Sequence, residues 1–111
     1  MALRDDWFKR MTSQLGAILA RATGARQKSD FDQALAATRT STAELLGLPR
    51  EVLDSVNPAG TAMVLREARK ADAYVQLLEA DAQTFEAMGR ADEAATLRAR
   101  ARDVRAAVSF R

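Results

Sequence analysis

A single glycine in the last third of the chain constrains the fold more than any other residue. Gly89 separates two long alanine-rich segments whose apolar residues recur at helical spacing, and Asp92 and Glu93 follow it. Glycine adopts the left-handed conformation that ends a helix at little steric cost, and acidic residues stabilise the first turn of the next helix. Because neither segment can bury its apolar stripe alone, the pattern predicts an αα-hairpin with two packed helices.

Length and composition favour one modest all-α domain over residues 1–111. A chain of 111 residues suits a single hydrophobic core. About a fifth of the residues are alanine, which favours close-packed helices. No segment alternates apolar and polar residues in the manner of a half-buried strand. We therefore predict an irregular bundle of about four helices plus a short connector.

Charge and cysteine content exclude several classes of protein. Seventeen basic and fifteen acidic residues give a net charge of +2, so no general affinity for polyanions is implied. The absence of cysteine excludes a disulfide framework, thiolate catalysis and cysteine-ligated zinc, and it is compatible with a reducing compartment. The apolar run at residues 17–20 is far too short for a membrane span or a secretory signal. We expect a cytoplasmic protein.

Two helical units are predicted in the first half of the chain. Residues 1–24 form an amphipathic N-terminal helix that Gly24 ends, with large apolar side chains at spacings of three and four. Residues 29–56 form a second helix and a short connector. Ser29 or Asp30 supplies the helix cap, and the connector starts at Pro49.

The third unit, residues 57–111, contains the strongest helix-start signal. Asn57 can cap a helix, and Pro58 follows at the one position where a missing N–H is harmless. We predict one long helix from Ala59 to Met88, then the Gly89 turn and a C-terminal helix. The predicted core contains Trp7, Met11, Leu15, Leu35, Leu45, Val64, Val75, Leu78, Phe85, Leu97 and Val104.

The sequence contains few of the residue types that enzymes use for catalysis. The absence of histidine removes the commonest acid–base group at neutral pH, the usual catalytic triads and the helical zinc motif. The glycines are isolated and follow no predicted strand, so no phosphate-binding loop is expected. Glu79, Asp81 and Glu86 remain, and we interpret them as parts of solvated helix faces. We predict no enzyme activity, no cofactor and no metal site.

Two binding surfaces leave alternatives open. The arginines of the last helix suit phosphate, but Asp103 interrupts them and no aromatic residues are interleaved, which favours a solubilising role. They are Arg98, Arg100, Arg102 and Arg105. The apolar face of the first helix, with Lys9, Arg10 and Arg21 beside it, suits several roles: docking onto the long helix, pairing with a second copy, lying on a membrane surface, or capturing another partner.

The C-terminal third resembles a tetratricopeptide-repeat unit. The order and spacing that carry the resemblance are those of Leu78, Ala82, Phe85, Gly89, Asp92-Glu93-Ala94 and Ala101. The chain departs from that pattern at Asp81, where the family has leucine, at Arg98, where it has a large apolar residue, and in lacking the closing proline. A single such unit cannot form the superhelical peptide groove of the family.

A second resemblance spans nearly the whole chain. The residues that carry it are Asp6-Trp7-Phe8-x-Arg10-Met11-x-x-Gln14-Leu15, Phe31-Asp32-x-Ala34-Leu35, Glu44-Leu45-Leu46-Gly47-Leu48 and the hairpin. This order is similar to that of a family of small bacterial all-helical proteins of unknown function with a C-terminal tetratricopeptide-like hairpin. The resemblance implies no activity, substrate or cofactor.

These observations predict a non-enzymatic helical scaffold or adaptor for protein–protein interaction, with self-association as one route. The expected contact residues are Trp7, Phe8, Arg10 and Gln14 on the first helix and Tyr74, Leu77 and Met88 on the long helix. Arg10 and Gln14, one turn apart, also suit a structural role in seating the first helix on the hairpin. The alternative is a peripheral membrane-surface or nucleic-acid-binding protein that uses the N-terminal helix and the C-terminal arginines.

Overall fold

All regular structure in the described part of the chain is helical, as the sequence predicted. The computed structural model describes the backbone of residues 2–109 and the side chains of residues 6–109. The helices are α1 (Ala2–Gln27), α2 (Phe31–Thr40), α3 (Thr42–Leu46), α4 (Arg50–Ser55), α5 (Pro58–Leu65), α6 (Ala68–Ala87) and α7 (Ala91–Ser109). The outermost positions of the predicted units, residues 1, 110 and 111, lie outside the described residues.

The predicted C-terminal hairpin is formed by α6 and α7, which pack along each other. Gly89 has a φ of +79°, the left-handed conformation. Its N–H donates to the carbonyl of Glu86 at 2.9 Å, and the N–H of Arg90 donates to the carbonyl of Phe85 at 2.8 Å. These two bonds form a Schellman motif, which satisfies the free carbonyls at the end of α6 and reverses the chain.

The first helix ends later than predicted. Gly24 lies inside α1, and the helix continues to Gln27. The left-handed residue that ends it is Ser29, with a φ of 59°. The Ser29 N–H donates to Arg26 at 3.0 Å and the Asp30 N–H to Ala25 at 2.9 Å, the same motif as at Gly89. Gly24 therefore does not end the helix, because Ser29 has the left-handed conformation that glycine usually provides.

The second predicted helix is divided in two at Ser41. Asp30 caps α2 as predicted by accepting from the N–H of Gln33 at 3.2 Å. Near the break, the hydroxyls of Thr40 and Thr42 donate to backbone carbonyls four residues earlier. Side chains that bond back to the helix in this way, in a run of β-branched residues, weaken its regular geometry.

The predicted long helix from Ala59 to Met88 is also two helices. Arg66, between α5 and α6, has φ 58° and ψ −54°. The N–H of Glu67 donates to the carbonyl of Leu65 at 2.5 Å, which closes a three-residue γ-turn. The break changes the register of the preceding stripe, so the prediction that Val64 lies in the core is wrong, and its side chain is 45% exposed.

Helix α6 is the centre of the packing and contacts α1, α2, α3, α5 and α7. Most of the remaining predicted core is confirmed, with Met11, Leu15, Leu45, Val75, Leu78, Phe85 and Val104 buried and Trp7, Leu35 and Leu97 half-buried. The large side chains of α1 belong to the same apolar cluster as those of α6. Docking against the bundle is thus the role that the structure gives to the apolar face of the first helix.

Candidate functional site

The two aromatic residues of α1 are packed against the start of α6. Phe8 is buried and Trp7 half-buried, with their ring centroids 4.9 Å apart. The Arg69 guanidinium lies 4.3 Å from the Phe8 ring centroid and the Lys70 ammonium 5.1 Å from that of Trp7. These cation–π contacts attach the N-terminal end of α1 to α6. Phe8 is therefore part of the fold and offers little surface to a partner.

The contact residues predicted on the long helix are placed differently from the sequence expectation. Tyr74 and Leu77 are fully buried, because the break at Arg66 and the packing of several helices around α6 leave only a narrow outer face. Both residues are unavailable to a partner on this fold, and that part of the prediction is corrected. Met88 is half-buried beside the Gly89 turn.

Arg10 and Gln14 are both exposed on α1. Gln14 lines a shallow cleft of about 200 Å³ between α1 and the start of α3, together with Arg21 and Glu44. No hydrogen bond from either predicted residue to the α6–α7 hairpin is found within residues 6–109. Of the seven predicted contact residues, Arg10 and Gln14 are thus the two most accessible.

A buried ion pair joins α4 to α6. Asp81 is 0% exposed and Arg50 is 3% exposed. Arg50 Nη2 donates to Asp81 Oδ2 at 2.7 Å, and the Thr38 hydroxyl lies 2.5 Å from Asp81 Oδ1. The interpretation of Asp81 as part of a solvated face is therefore wrong. Its carboxylate joins α2, α4 and α6. These contacts explain why an acidic residue stands among the apolar residues on the buried face of α6.

The ion pair continues into a wider polar cluster, which we define as Thr38, Arg50, Asp54, Tyr74, Asp81 and Arg100. Arg50 Nε donates to both carboxylate oxygens of Asp54 at 3.1 Å. The Tyr74 hydroxyl donates to Asp54 Oδ1 at 2.5 Å and accepts from Arg100 Nε at 2.7 Å. The polar cluster thus links four helices through charge-assisted hydrogen bonds.

Arg100 holds the end of the connector helix α4. Its Nη2 lies 2.5 Å from the carbonyl oxygen of Leu53, 2.8 Å from that of Val56 and 2.8 Å from the hydroxyl of Thr61. The carbonyls at the end of a helix carry partial negative charge, so a guanidinium stabilises them. The inward direction of Arg100 separates it from the other three arginines of α7, with which the sequence analysis had grouped it.

The environment of the polar cluster shifts two pKa values. Burial lowers the pKa of Arg50, but the charges of Asp81 and Asp54 outweigh it and raise the pKa above its ordinary value. Burial, helped by the hydrogen bond to Asp54, raises the pKa of Tyr74 to about 12, against the opposing effect of Arg100. Both groups therefore hold their protons throughout the physiological range.

The chemistry of the polar cluster is structural. Its groups bond mainly to one another and to backbone carbonyls, although Arg50 Nη1 has no acceptor among the described residues. None of its side chains lines the surface depressions described here. The sequence drew attention to Asp81 beside the apolar stripe but missed its partner Arg50, which lies 31 residues earlier. The one sequence signal was the position of Asp81 beside the apolar stripe, because a buried carboxylate needs a cation or a hydrogen-bond donor as partner.

An open groove runs along the outer face between α1 and α6. It consists of two adjoining depressions of about 410 and 250 Å³ that share Leu19 and Gln76. The α1 side supplies apolar side chains, Gly16, two threonines and Arg26, and the α6 side supplies carboxylate and amide groups together with Arg69. We call this surface the α1–α6 groove; its lining is Met11, Thr12, Leu15, Gly16, Leu19, Thr23 and Arg26 with Arg69, Asp72, Gln76, Glu79, Ala80 and Gln83.

The three outward arginines of α7 border an adjoining depression of about 330 Å³, which shares Glu79 and Gln83 with the groove. We call Arg98, Arg102 and Arg105 the arginine surface. Arg98 pairs with Glu86, and Arg105 lies 3.8 Å from Asp72 and 3.7 Å from Glu79. Glu79 and Glu86, unlike Asp81, are on the outer face as predicted, with about half of each side chain exposed.

Within the described residues, no group of three acidic, histidine or cysteine side chains is arranged to hold a metal ion. None of the helices in that part of the chain combines the length and apolar character needed to cross a bilayer. Comparisons with protein-family models, with curated protein sequences and with solved structures give no match.

Proposed function

We propose that this chain is a non-enzymatic helical scaffold that binds another protein, or a second copy of itself, in the α1–α6 groove. The observation that carries the proposal is the groove itself, which is open, long and lined by both apolar and hydrogen-bonding side chains. From Arg69 to Gln83 it follows α6 for fourteen residues, about 21 Å at 1.5 Å per residue. That length suits about four turns of a partner helix.

The groove chemistry fits a protein ligand. Leu19, which is half-buried, offers apolar contact, while Gln76 and Glu79 offer hydrogen bonds to polar groups at the edge of a partner helix. Gly16 has no side chain to fill the groove on the α1 side, and the space there is open, since a Cβ built at this position meets no atom within 4 Å. A partner backbone can therefore approach α1 closely at this point.

Two observations weigh against the alternative of a membrane-surface or nucleic-acid-binding protein. The apolar face of α1, which such a membrane function requires, is occupied by the core. The outward arginines of α7 face acidic residues of α6, and Arg100 points inward. The proposal retains the resemblance of the hairpin to a tetratricopeptide unit and that of the chain to small bacterial helical proteins, and with them a cytoplasmic setting.

The test combines light scattering with affinity capture from a cell extract of the source organism. A groove variant, Gly16→Gln with Gln76→Lys, places two long side chains in the groove without touching the core. Ser13→Lys, at an exposed position of α1 outside the groove lining, is the matched control. We expect the parent and the control to dimerise or to capture the same protein, and the groove variant to lose this association. The proposal would be refuted if the parent chain is a monomer and captures no protein that the groove variant does not also capture.

A further inference from the structure

The arginine surface has an unused cationic group at its centre. Arg98 and Arg105 each lie near an acidic residue of α6. Within residues 6–109, no ion pair or hydrogen bond of the Arg102 guanidinium is found, and its side chain is exposed. Arg102 lies between the two paired arginines and lines the same depression. Five guanidinium N–H donors are thus directed to solvent at one point.

Gln83 supplies a second donor on the opposite wall of this depression. Its Oε1 accepts from Arg26 Nη2 of α1 at 3.0 Å, and Arg26 is itself fixed by the hydroxyls of Thr23 and Thr84. Because the amide oxygen is engaged toward α1, the amide nitrogen remains free to donate toward α7. The depression therefore presents a guanidinium and an amide N–H, and both recognise a carboxylate.

The spacing of the arginine surface suggests the form of the ligand. Arg98, Arg102 and Arg105 follow one another at four and three residues, so their Cβ atoms are about 5–6 Å apart along one face of α7. Carboxylates at the same spacing on a partner helix would meet Arg102 and one of its neighbours. Surface pairing of this kind contributes orientation and association rate more than affinity.

A nucleic acid fits this surface less well than an acidic helix does. Asp72, Glu79 and Glu86 lie along the same seam and would repel a continuous phosphate backbone. The aromatic residues that stack on bases are missing from the depression, whose lining is charged and amide side chains. A discrete carboxylate between Arg102 and Gln83 has one acidic residue, Glu79, in the lining of the depression, and Glu79 lies 3.7 Å from Arg105, which offsets its charge.

We propose that the arginine surface binds an acidic helical segment of a protein partner, with one carboxylate held between Arg102 and Gln83. The inference rests on the proposed scaffold function, and it names the chemistry of a partner at a surface that adjoins the α1–α6 groove and shares Glu79 and Gln83 with it. Arg26 acts as a positioning residue, because it orients the Gln83 amide from the side of α1.

The experiment measures fluorescence anisotropy with two labelled alanine-based peptides of about 20 residues. One carries glutamates at every fourth position, and the other has the same composition with its glutamates gathered at one end. We expect the first peptide to bind the parent chain more tightly than the second. Arg102→Glu should weaken its binding about tenfold, and the matched control Arg21→Glu, an exposed arginine of α1, less than twofold.

Three outcomes would overturn the inference: no binding of the spaced peptide at millimolar concentration, equal binding of both peptides, or equal losses in Arg102→Glu and Arg21→Glu. Tighter binding of a single-stranded oligonucleotide than of the spaced peptide would identify a nucleic-acid surface instead and would also refute it. Circular dichroism checks that both variants stay helical. The association of the parent chain and of the groove variant is measured separately. If the groove variant loses association while the peptides fail to bind, this inference fails and the scaffold function stands.

Discussion

Replacing Asp81 by leucine tests whether the buried ion pair holds the fold together. The carboxylate is 0% exposed and accepts from both Arg50 and Thr38. Removing one member of a buried pair costs about 3–5 kcal/mol, because the other charge stays in the interior without its partner. Arg50 retains Asp54 at 3.1 Å, so we expect a loss near the lower end, about 3 kcal/mol.

The reciprocal change, Arg50→Met, should cost slightly more, about 4 kcal/mol. It leaves the fully buried Asp81 carboxylate with the Thr38 hydroxyl and with Arg39, whose Nε is 3.9 Å away and whose side chain is half-exposed. Combining both changes replaces the pair by apolar side chains of similar size. We expect the double variant to lie within about 1 kcal/mol of the parent, since no buried charge is left alone and the Asp54 carboxylate, 35% exposed, keeps its bond from the Tyr74 hydroxyl.

Urea unfolding followed by circular dichroism at 222 nm measures these differences. With a slope of about 1.5 kcal/mol per molar, a loss of 3 kcal/mol lowers the midpoint by about 2 M. Glu79→Gln, on the exposed side of the same helix, should change stability by no more than about 0.5 kcal/mol. A cost below about 1 kcal/mol for Asp81→Leu, or a double variant as unstable as the sum of the two single ones, would contradict this reasoning.

Three further predictions follow from the backbone and from the single tyrosine. The raised pKa of Tyr74, about 12 against about 10 when unfolded, means that the contribution of Tyr74 to stability is constant below about pH 10 and is lost between pH 10 and 12. Phenolate absorbance should therefore titrate near pH 12 in the folded chain, and a folded midpoint at pH 10 would contradict the assignment. Gly16→Ala and Gly24→Ala should each raise stability by about 0.5–1 kcal/mol in thermal unfolding, since both lie inside α1 with open space at the Cβ, whereas Gly89→Ala should lower it by about 1 kcal/mol. Arg66→Gly should raise the unfolding temperature by relieving about 1 kcal/mol of strain at a φ of 58°, and a decrease would argue against the γ-turn.

Local sequence signals predicted the ends of helices wherever the cap uses a specialised residue. Asp30 and Asn57 cap as expected, and Gly47 and Gly89 have the left-handed conformation. Two of the failures, at Ser29 and Arg66, arise because ordinary residues have positive φ angles, whereas Ser41 at the third break keeps a right-handed conformation. Arg66 ends a helix without glycine or proline nearby, because Thr61 bonds to Leu53 and Arg100 and fixes the direction of α5 independently of α6.

The candidate surfaces were harder to predict than the helices. Periodicity shows which face of a helix is apolar, but it does not show how many neighbours surround that helix. Tyr74 and Leu77 were expected on an open flank and are buried because α6 has neighbours on several sides. Arg50 could not be paired with Asp81 from spacing alone, since residues 31 apart meet only through tertiary packing.

The contact between Arg100 and the end of α4 has a consequence for the order of folding. Arg100 lies 47 residues after Leu53 and 44 after Val56, whereas α6 and α7 are adjacent in sequence and joined by a tight turn. Contacts between distant residues require a larger loop to close, so the hairpin forms before the connector docks. During synthesis on the ribosome, the end of α4 can therefore gain its contacts with Arg100 only after α7 has been made.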